Sequence, residues 1–122
     1  MIVKEFEKAV VSLELALSHP KTDMNRDATI QRFKYAIELS WKTGKRLMGT
    51  SLSSPKEVVR EMGRVGLIND VEFWLDALDD RNLVSHTYKE LMAERVYKTA
   101  KKFCTEARTF FLTLQTRFPE SV

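Results

Sequence analysis

The sequence predicts an all-α protein, an antiparallel up-and-down bundle of four to five helices. Three observations lead there. Apolar residues recur at spacings of three and four over long stretches, with no sustained apolar/polar alternation and no Asn-Gly hairpin signal. The three prolines, Pro20, Pro55 and Pro119, all stand where a periodic stretch ends or begins. With 122 residues and 43% hydrophobic content there is enough apolar mass for one core, so residues 1–122 are expected to form a single helical-bundle domain.

The first helix is expected from about Val3 to Leu17, with Val3, Phe6, Val10, Leu13 and Leu17 on one stripe. S-H-P-K-T-D breaks it, and His19 in that loop reads as a surface histidine. A second helix is expected from about Met24 to Met48, roughly 37 Å at the α-helical rise. Its stripe is Ile30, Phe33, Ile37, Trp41, Gly44 and Met48, and Gly49 is placed to terminate it. S-S-P-K-E then reads as a cap with proline in the first turn of a short third helix, which ends between Gly63 and Gly66. Asn69 or Asp70 can cap a fourth helix that turns Val71, Trp74, Leu75 and Leu78 inward. The last helix, from about Glu90 to Arg117, has the cleanest period: Ala93, Val96, Ala100, Phe103, Ala107, Phe110 and Leu114. Trp41 and Trp74 read as core side chains rather than as base-stacking platforms. Leu15, Leu39, Phe73, Leu83 and Phe111 fall off the stripes, more apolar residues than one bundle needs, and they provide for a homodimer face.

Composition narrows the functional classes. No stretch approaches the roughly 18 to 20 consecutive apolar residues of a membrane span. The opening M-I-V-K-E-F-E-K carries acids and no apolar h-region, so no signal peptide is expected. Cys104 is the only cysteine, which excludes an internal disulfide and fits a reducing cytoplasm. One cysteine and two distant histidines provide no ligand cluster, so neither a metal nor another cofactor is expected. Net charge is +3 with a pI near 9.1. Between Lys89 and Arg108, six basic residues face three acidic ones, a local excess read as a solvated face, with the capacity to help hold a polyanion at Lys98, Lys101 and Lys102 as the second reading.

The decapeptide R-N-L-V-S-H-T-Y-K-E, at 81–90, holds the second histidine. On a continuous helix, residues five apart point about 140° away from each other. Val84, Ser85 and Thr87 are poor helix formers, however. The helix is therefore expected to end near Leu83 or Val84 and a turn to run from Ser85 to Tyr88. Such a turn lets Arg81, His86 and Tyr88 converge, within one subunit or across a dimer. Two readings stand side by side. In the structural one, Arg81 pairs with Asp76 or Asp80, His86 caps the helix and Tyr88 packs. In the chemical one, histidine carries a proton near neutral pH and arginine offers a planar cationic fork to phosphate. Those two services suffice when an RNA 2′-hydroxyl attacks its own phosphodiester. Asp76, Asp79 and Asp80 then either orient Arg81 or His86 or form an acidic helix surface.

R-N-L-V-S-H resembles the motif of the HEPN superfamily, an arginine, a polar residue, three further residues and a histidine; Arg81, Asn82 and His86 fill those slots. The longer R-N-L-V-S-H-T-Y resembles the signature of HepT-type toxins. R-D-A-T-I-Q-R-F-K-Y-A-I-E-L-S-W-K at 26–42, S-P-K-E-V-V-R-E at 54–61 and W-L-D-A-L-D-D-R-N at 74–82 resemble one subfamily, the nucleotidyltransferase substrate-binding proteins. The likeness covers about residues 24–100.

The resemblance implies a HEPN-like bundle, cytoplasmic and homodimeric, with the two motifs near the interface. A HepT-type member would be the metal-independent endoribonuclease toxin of a toxin–antitoxin pair. Arg81 and His86 would be catalytic and Asn82 supporting, with Asp80 and Ser85 as further candidate supports. Its antitoxin would be a separate small MntA-like nucleotidyltransferase that silences it by AMPylation of Tyr88. An adenylyl group there adds bulk and negative charge beside Arg81 and His86, where the RNA phosphate has to sit. The resemblance also admits a member of another kind, a non-catalytic substrate-binding subunit of a two-component nucleotidyltransferase. The transferase is not in this chain: no Gly-Ser is followed by an Asp-x-Asp pair. G-T-S-L-S-S-P at 49–55 lacks the spacing and the lysine of a phosphate loop.

Overall fold

A computed structural model of the chain describes residues 2–83 and 90–121. It contains α1 (Ile2–Leu17), α2 (Asp23–Met48), α3 (Pro55–Arg64), α4 (Val71–Leu83) and α5 (Glu90–Arg117), followed by a 3-10 turn at Pro119–Ser121. There is no strand among the described residues, and the fold is the helical bundle the periodicity predicts. No helix among them is long and apolar enough to cross a membrane.

Local chemistry sets the helix ends. The Asn25 N–H donates to Thr22 Oγ1 at 3.1 Å, so Thr22 caps α2 and the helix starts at Asp23, one residue before the expected Met24. At the other end Gly49 adopts φ 67°, and its N–H donates to the Lys45 and Arg46 carbonyls at 3.1 and 3.2 Å. A β-carbon would make that left-handed turn costly. The side chain of Ser54 makes no cap bond, contrary to the expected cap, and Pro55 opens α3 by needing no donor of its own. For α4 the choice falls on Asp70: its Oδ1 accepts from the Phe73 N–H at 3.1 Å. That bond, followed by the ammonium of Lys102, holds the Asp70 carboxyl below the usual range.

α2 packs against every other α-helix, and α5 against α1, α2 and α4. A chain of aromatic rings runs through the middle. Phe33 of α2 lies 5.4 Å from Phe103 of α5, which lies 5.1 Å from Trp74 of α4. Trp74 in turn is 5.6 Å from Phe110, and Phe110 is 5.5 Å from Phe6 of α1. The three contacts from Phe33 to Phe110 are edge-to-face, each worth about 0.5–1.5 kcal/mol beyond the area it buries. α3 adds Val58, Val59 and Met62.

The off-stripe residues sort differently from the expectation. Phe111 is buried, 6.4 Å from Phe6, because α1 covers that side of α5. Leu39 and Phe73 are half-buried against the core and Leu83 is half-buried, so of the five only Leu15 stands exposed. The apolar surplus on which a dimer face was expected is largely absorbed within the bundle.

Small residues set the closest approaches. A β-carbon built on Gly63 would lie 2.1 Å from Val71 Cγ2, a β-branched neighbour that cannot swing away. Gly→Ala inside a helix ordinarily gains about 1 kcal/mol. Here Gly63→Ala is expected to lose about 1–3 kcal/mol through overpacking. Urea denaturation checks it, and a midpoint at or above wild type would show that α3 and α4 can part without cost.

Candidate functional site

Burial of Trp74, Ala77, Leu78 and Asp80 turns one side of α4 into the bundle and leaves Arg81 at its rim. From there the guanidinium reaches α2 and pairs with Glu38, while its Nη2 donates to Asn82 Oδ1 at 3.2 Å. Burial lowers the Arg81 pKa, but arginine stays cationic throughout the physiological range. Glu38 serves two further donors: Trp41 Nε1 donates to its Oε1 at 3.3 Å, and Lys42 Nζ lies 3.6 Å from its Oε2. Trp41 is thus buried as expected, with its one polar atom answered by Glu38.

Arg81 therefore pairs with neither Asp76 nor Asp80, the partners the structural reading had chosen. Asp76 is 140° away around the helix, and Asp80 faces α5. Thr99 Oγ1 donates to Asp80 Oδ2 at 2.5 Å, and Arg95 Nη2 lies 3.0 Å from Oδ1. The Arg95 contact is an ion pair without hydrogen-bond alignment, so Oδ1 has no hydrogen-bond donor among the described residues. At 3% exposure Asp80 is no part of an acidic surface; Asp79 is exposed and pairs with Lys56 at 2.7 Å. As a candidate support, Asp80 makes its described polar contacts with α5 and not with Arg81.

Of the expected site residues, the described structure brings together Arg81 and Asn82. Ser85, His86 and Tyr88 belong to 84–89, outside the described residues. Both flanks of that segment are anchored on α2. Arg81 makes one anchor through Glu38. On the other flank, where α5 begins, Arg26 Nη1 donates to Glu90 Oε1 at 2.5 Å and Glu94 Oε1 at 3.3 Å, and Arg26 Nε donates to Asp27 Oδ1 at 3.1 Å. Lys21 pairs with Glu94 as well. Arg26 is only 4% exposed, whereas its partners Glu90 and Asp27 are exposed, so the guanidinium is covered while its counter-charges face solvent. The hydrogen bond to Glu90 raises its pKa most, against the opposing effect of burial.

Sequence reasoning missed both Glu38 and the Arg26 network. The available signal was phase: Arg26 falls four residues before Ile30 on the inward stripe of α2, where an arginine requires charged partners. Elsewhere, Lys98 and Lys101 are exposed, whereas Lys102 is engaged by Asp70 at 3.3 Å and by the Phe73 ring at 4.5 Å. His19 is exposed, as expected, at a small cavity between α1 and α2. Trp74 is wholly buried core. Cys104 is buried and its thiol is pushed up to about 11, chiefly by burial and then by Glu14, which leaves it a poor nucleophile.

Comparison with known proteins places this arrangement. The family model described as nucleotidyltransferase substrate binding protein like matches residues 2–116. A Haemophilus influenzae protein named probable ribonuclease HepT is 34% identical over 96 residues, 72% of this chain and 66% of the relative, just under two thirds of its length. A crystal structure from Thermus thermophilus is 33% identical with a TM-score of 0.81, covering 90% of this chain and 98% of the other. A second structure, from Haemophilus influenzae, is described as the fold of a substrate binding domain of a nucleotidyltransferase. It is 28% identical with a TM-score of 0.81, covering 93% of this chain and 98% of the other.

The anchors make stability pH-dependent in one direction. Glu94 is held below its ordinary value of 4.5 by Lys21 and then Arg26, and Glu14 likewise by Arg108. A depressed carboxylate stabilises the fold above its unfolded pKa, and that stability is lost as pH falls through the folded pKa. The melting temperature is expected to be level above about pH 5 and to drop progressively below the ordinary glutamate range. Arg26→Met should lower the curve at pH 7 and make the acid limb shallower. An unchanged acid limb in that variant would show that the network does not couple to folding.

Proposed function

This chain belongs to the nucleotidyltransferase substrate-binding protein-like family, and from that premise we propose that it is a HepT-type, metal-independent endoribonuclease, the toxin of a toxin–antitoxin pair. The observation that carries the reading is the intact R-N-L-V-S-H-T-Y string at 81–88 in a chain 34% identical to a probable ribonuclease HepT.

In this reading His86 takes the proton of an RNA 2′-hydroxyl. The 2′-oxygen attacks the adjacent phosphorus, the 5′-oxygen leaves with a proton, and a 2′,3′-cyclic phosphate remains. Arg81 stabilises the phosphorane charge through its planar fork, which Asn82 helps to orient. Glu38 holds Arg81 when no substrate is bound, and the scissile phosphate has to compete with that carboxylate. The active protein is a cytoplasmic homodimer that brings two motifs together. A separate MntA-like nucleotidyltransferase silences it by joining AMP to the Tyr88 hydroxyl, which sets a phosphodiester and a nucleoside where the RNA would lie.

The second reading, a non-catalytic substrate-binding subunit of a two-chain nucleotidyltransferase, is favoured by the family description and by that of the second solved relative. Both readings share the partner; only cleavage separates them.

The purified chain is expected to cut single-stranded RNA in EDTA, leaving cyclic phosphate ends. Arg81→Ala and His86→Ala should each reduce the rate at least about 100-fold, the usual worth of a positioned acid–base or charge-stabilising group. Tyr88→Phe should still cut but resist silencing by the partner transferase and ATP. Absence of cleavage by a folded protein, over several RNAs, would establish the binding-subunit reading in its place.

A further inference from the structure

Apart from Glu38, the outward face of α2 has no role in the chemistry described so far. Phe33, Ile37, Ser40 and Gly44 are buried, which sends Lys34, Glu38, Lys42 and Lys45 to the opposite side. At about 100° per residue these four fall within an arc of about 80°, and Tyr35 and Arg46 widen it to about 120°. From Lys34 to Arg46 the segment K-Y-A-I-E-L-S-W-K-T-G-K-R carries four basic residues and a single acid. That acid, Glu38, is already engaged by Arg81, Lys42 and the Trp41 indole. Arg81 thus adds a fifth cation to the face from α4. Lys42 and Arg46 are exposed, Lys34 and Lys45 half-buried, and Tyr35 is 56% exposed.

On the other basic row, on α5, Lys102 is tied to Asp70 and Arg95 to Asp80, while Lys98 and Lys101 stand exposed with no aromatic ring or arginine fork between them among the described residues. Cations in a line about 18 Å long, with an exposed aromatic ring among them and an arginine fork in the middle, suit a single-stranded polyanion. The phosphates follow the charges and a base can stack on the ring.

We propose that this face of α2 seats the single-stranded RNA, Lys34, Lys42, Lys45 and Arg46 following its phosphates and Tyr35 stacking a base, so that one phosphate reaches Arg81. The identity of the strand rests on the nuclease reading; binding does not require cleavage, and the two can fail separately.

The test uses the full chain and a fluorescent 12-nucleotide RNA with 2′-O-methyl groups, which cannot be cut through a 2′-hydroxyl. Anisotropy is followed over a salt series, with circular dichroism confirming the fold of each variant. Removing one lysine–phosphate ion pair from a single strand lowers the slope of log affinity against log salt by about 0.7. Lys34→Ala/Lys42→Ala/Lys45→Ala is therefore expected to lower it by about 2 and to weaken binding at least about tenfold at moderate salt. Tyr35→Ala should weaken it about 5-fold or more and Tyr35→Phe should not, as stacking requires. Lys98→Ala/Lys101→Ala tests the competing row on α5, where the charge count alone would put the polyanion, and is expected to stay within about twofold of wild type.

An unchanged slope in the α2 triple variant overturns the proposal, as does weakened binding confined to the α5 variant. A triple variant that keeps RNA affinity but loses its dimer or the nucleotidyltransferase in size exclusion also overturns it, because the face is then a protein interface. Natural RNA assayed alongside keeps the two readings apart: binding lost in the triple variant while no RNA is ever cut upholds this face and removes the nuclease. Cleavage with an unchanged slope does the reverse.

Discussion

The Arg26 guanidinium holds the beginning of α5 against the beginning of α2, and the geometry of the candidate site depends on that contact. Its fork serves Glu90 on one nitrogen and Asp27 on another, while Glu94 shares the first. A lysine could supply the charge but not the geometry, since a single ammonium cannot present separate planar donors in fixed directions. Twelve residues further along α2, Glu38 does the complementary work by receiving Arg81 from the end of α4. The two ends between which residues 84–89 must run are thus both referred to one helix. A third tie, from Asp80 to Thr99, secures the end of α4 to α5.

These polar ties work because the apolar core has already aligned the helices. Phe33, Phe103, Trp74, Phe110 and Phe6 touch in sequence, and each step crosses from one helix to another. Rotating α4 by one residue would carry Trp74 out of that chain and Arg81 away from Glu38 together. Side-chain packing at the centre and ion pairing at the rim therefore select the same register, and such agreement between levels distinguishes a unique fold from a loosely packed one.

Glu38 gives the Arg81 cation a counter-charge at the edge of the bundle. A lone half-buried arginine costs desolvation without return. Glu38 offsets that cost and is itself braced by the Trp41 indole and Lys42. Between Lys34 and Arg46, Glu38 is the single acid, whereas Asp70 and Asp80, from the α4 side, meet Lys102 and Arg95 of α5. The chain's small net charge conceals that segregation, which emerges only when residues are sorted by helix face.

Five helices, their ends and the inward stripes were legible in the amino-acid sequence, because periodicity, caps and prolines act within a few residues of one another. The string at 81–88 was legible as well, since the motif is contiguous. Phe111 was misjudged because helical phase says which residues share a side, not how many neighbours cover it, and α1 covers more of α5 than the phase implied. Asp80 was read as surface for the same reason. The partners of Arg81 and Arg26 lie 43 and 64 residues away along the chain, at Glu38 and Glu90. No local pattern records such a pairing. The sequence by itself determined which charges exist and which of them share a helix side; the packing of α2 against α4 and α5 decided which of them are covered and which of them meet, because Coulomb and hydrogen-bond energies depend on separation in space.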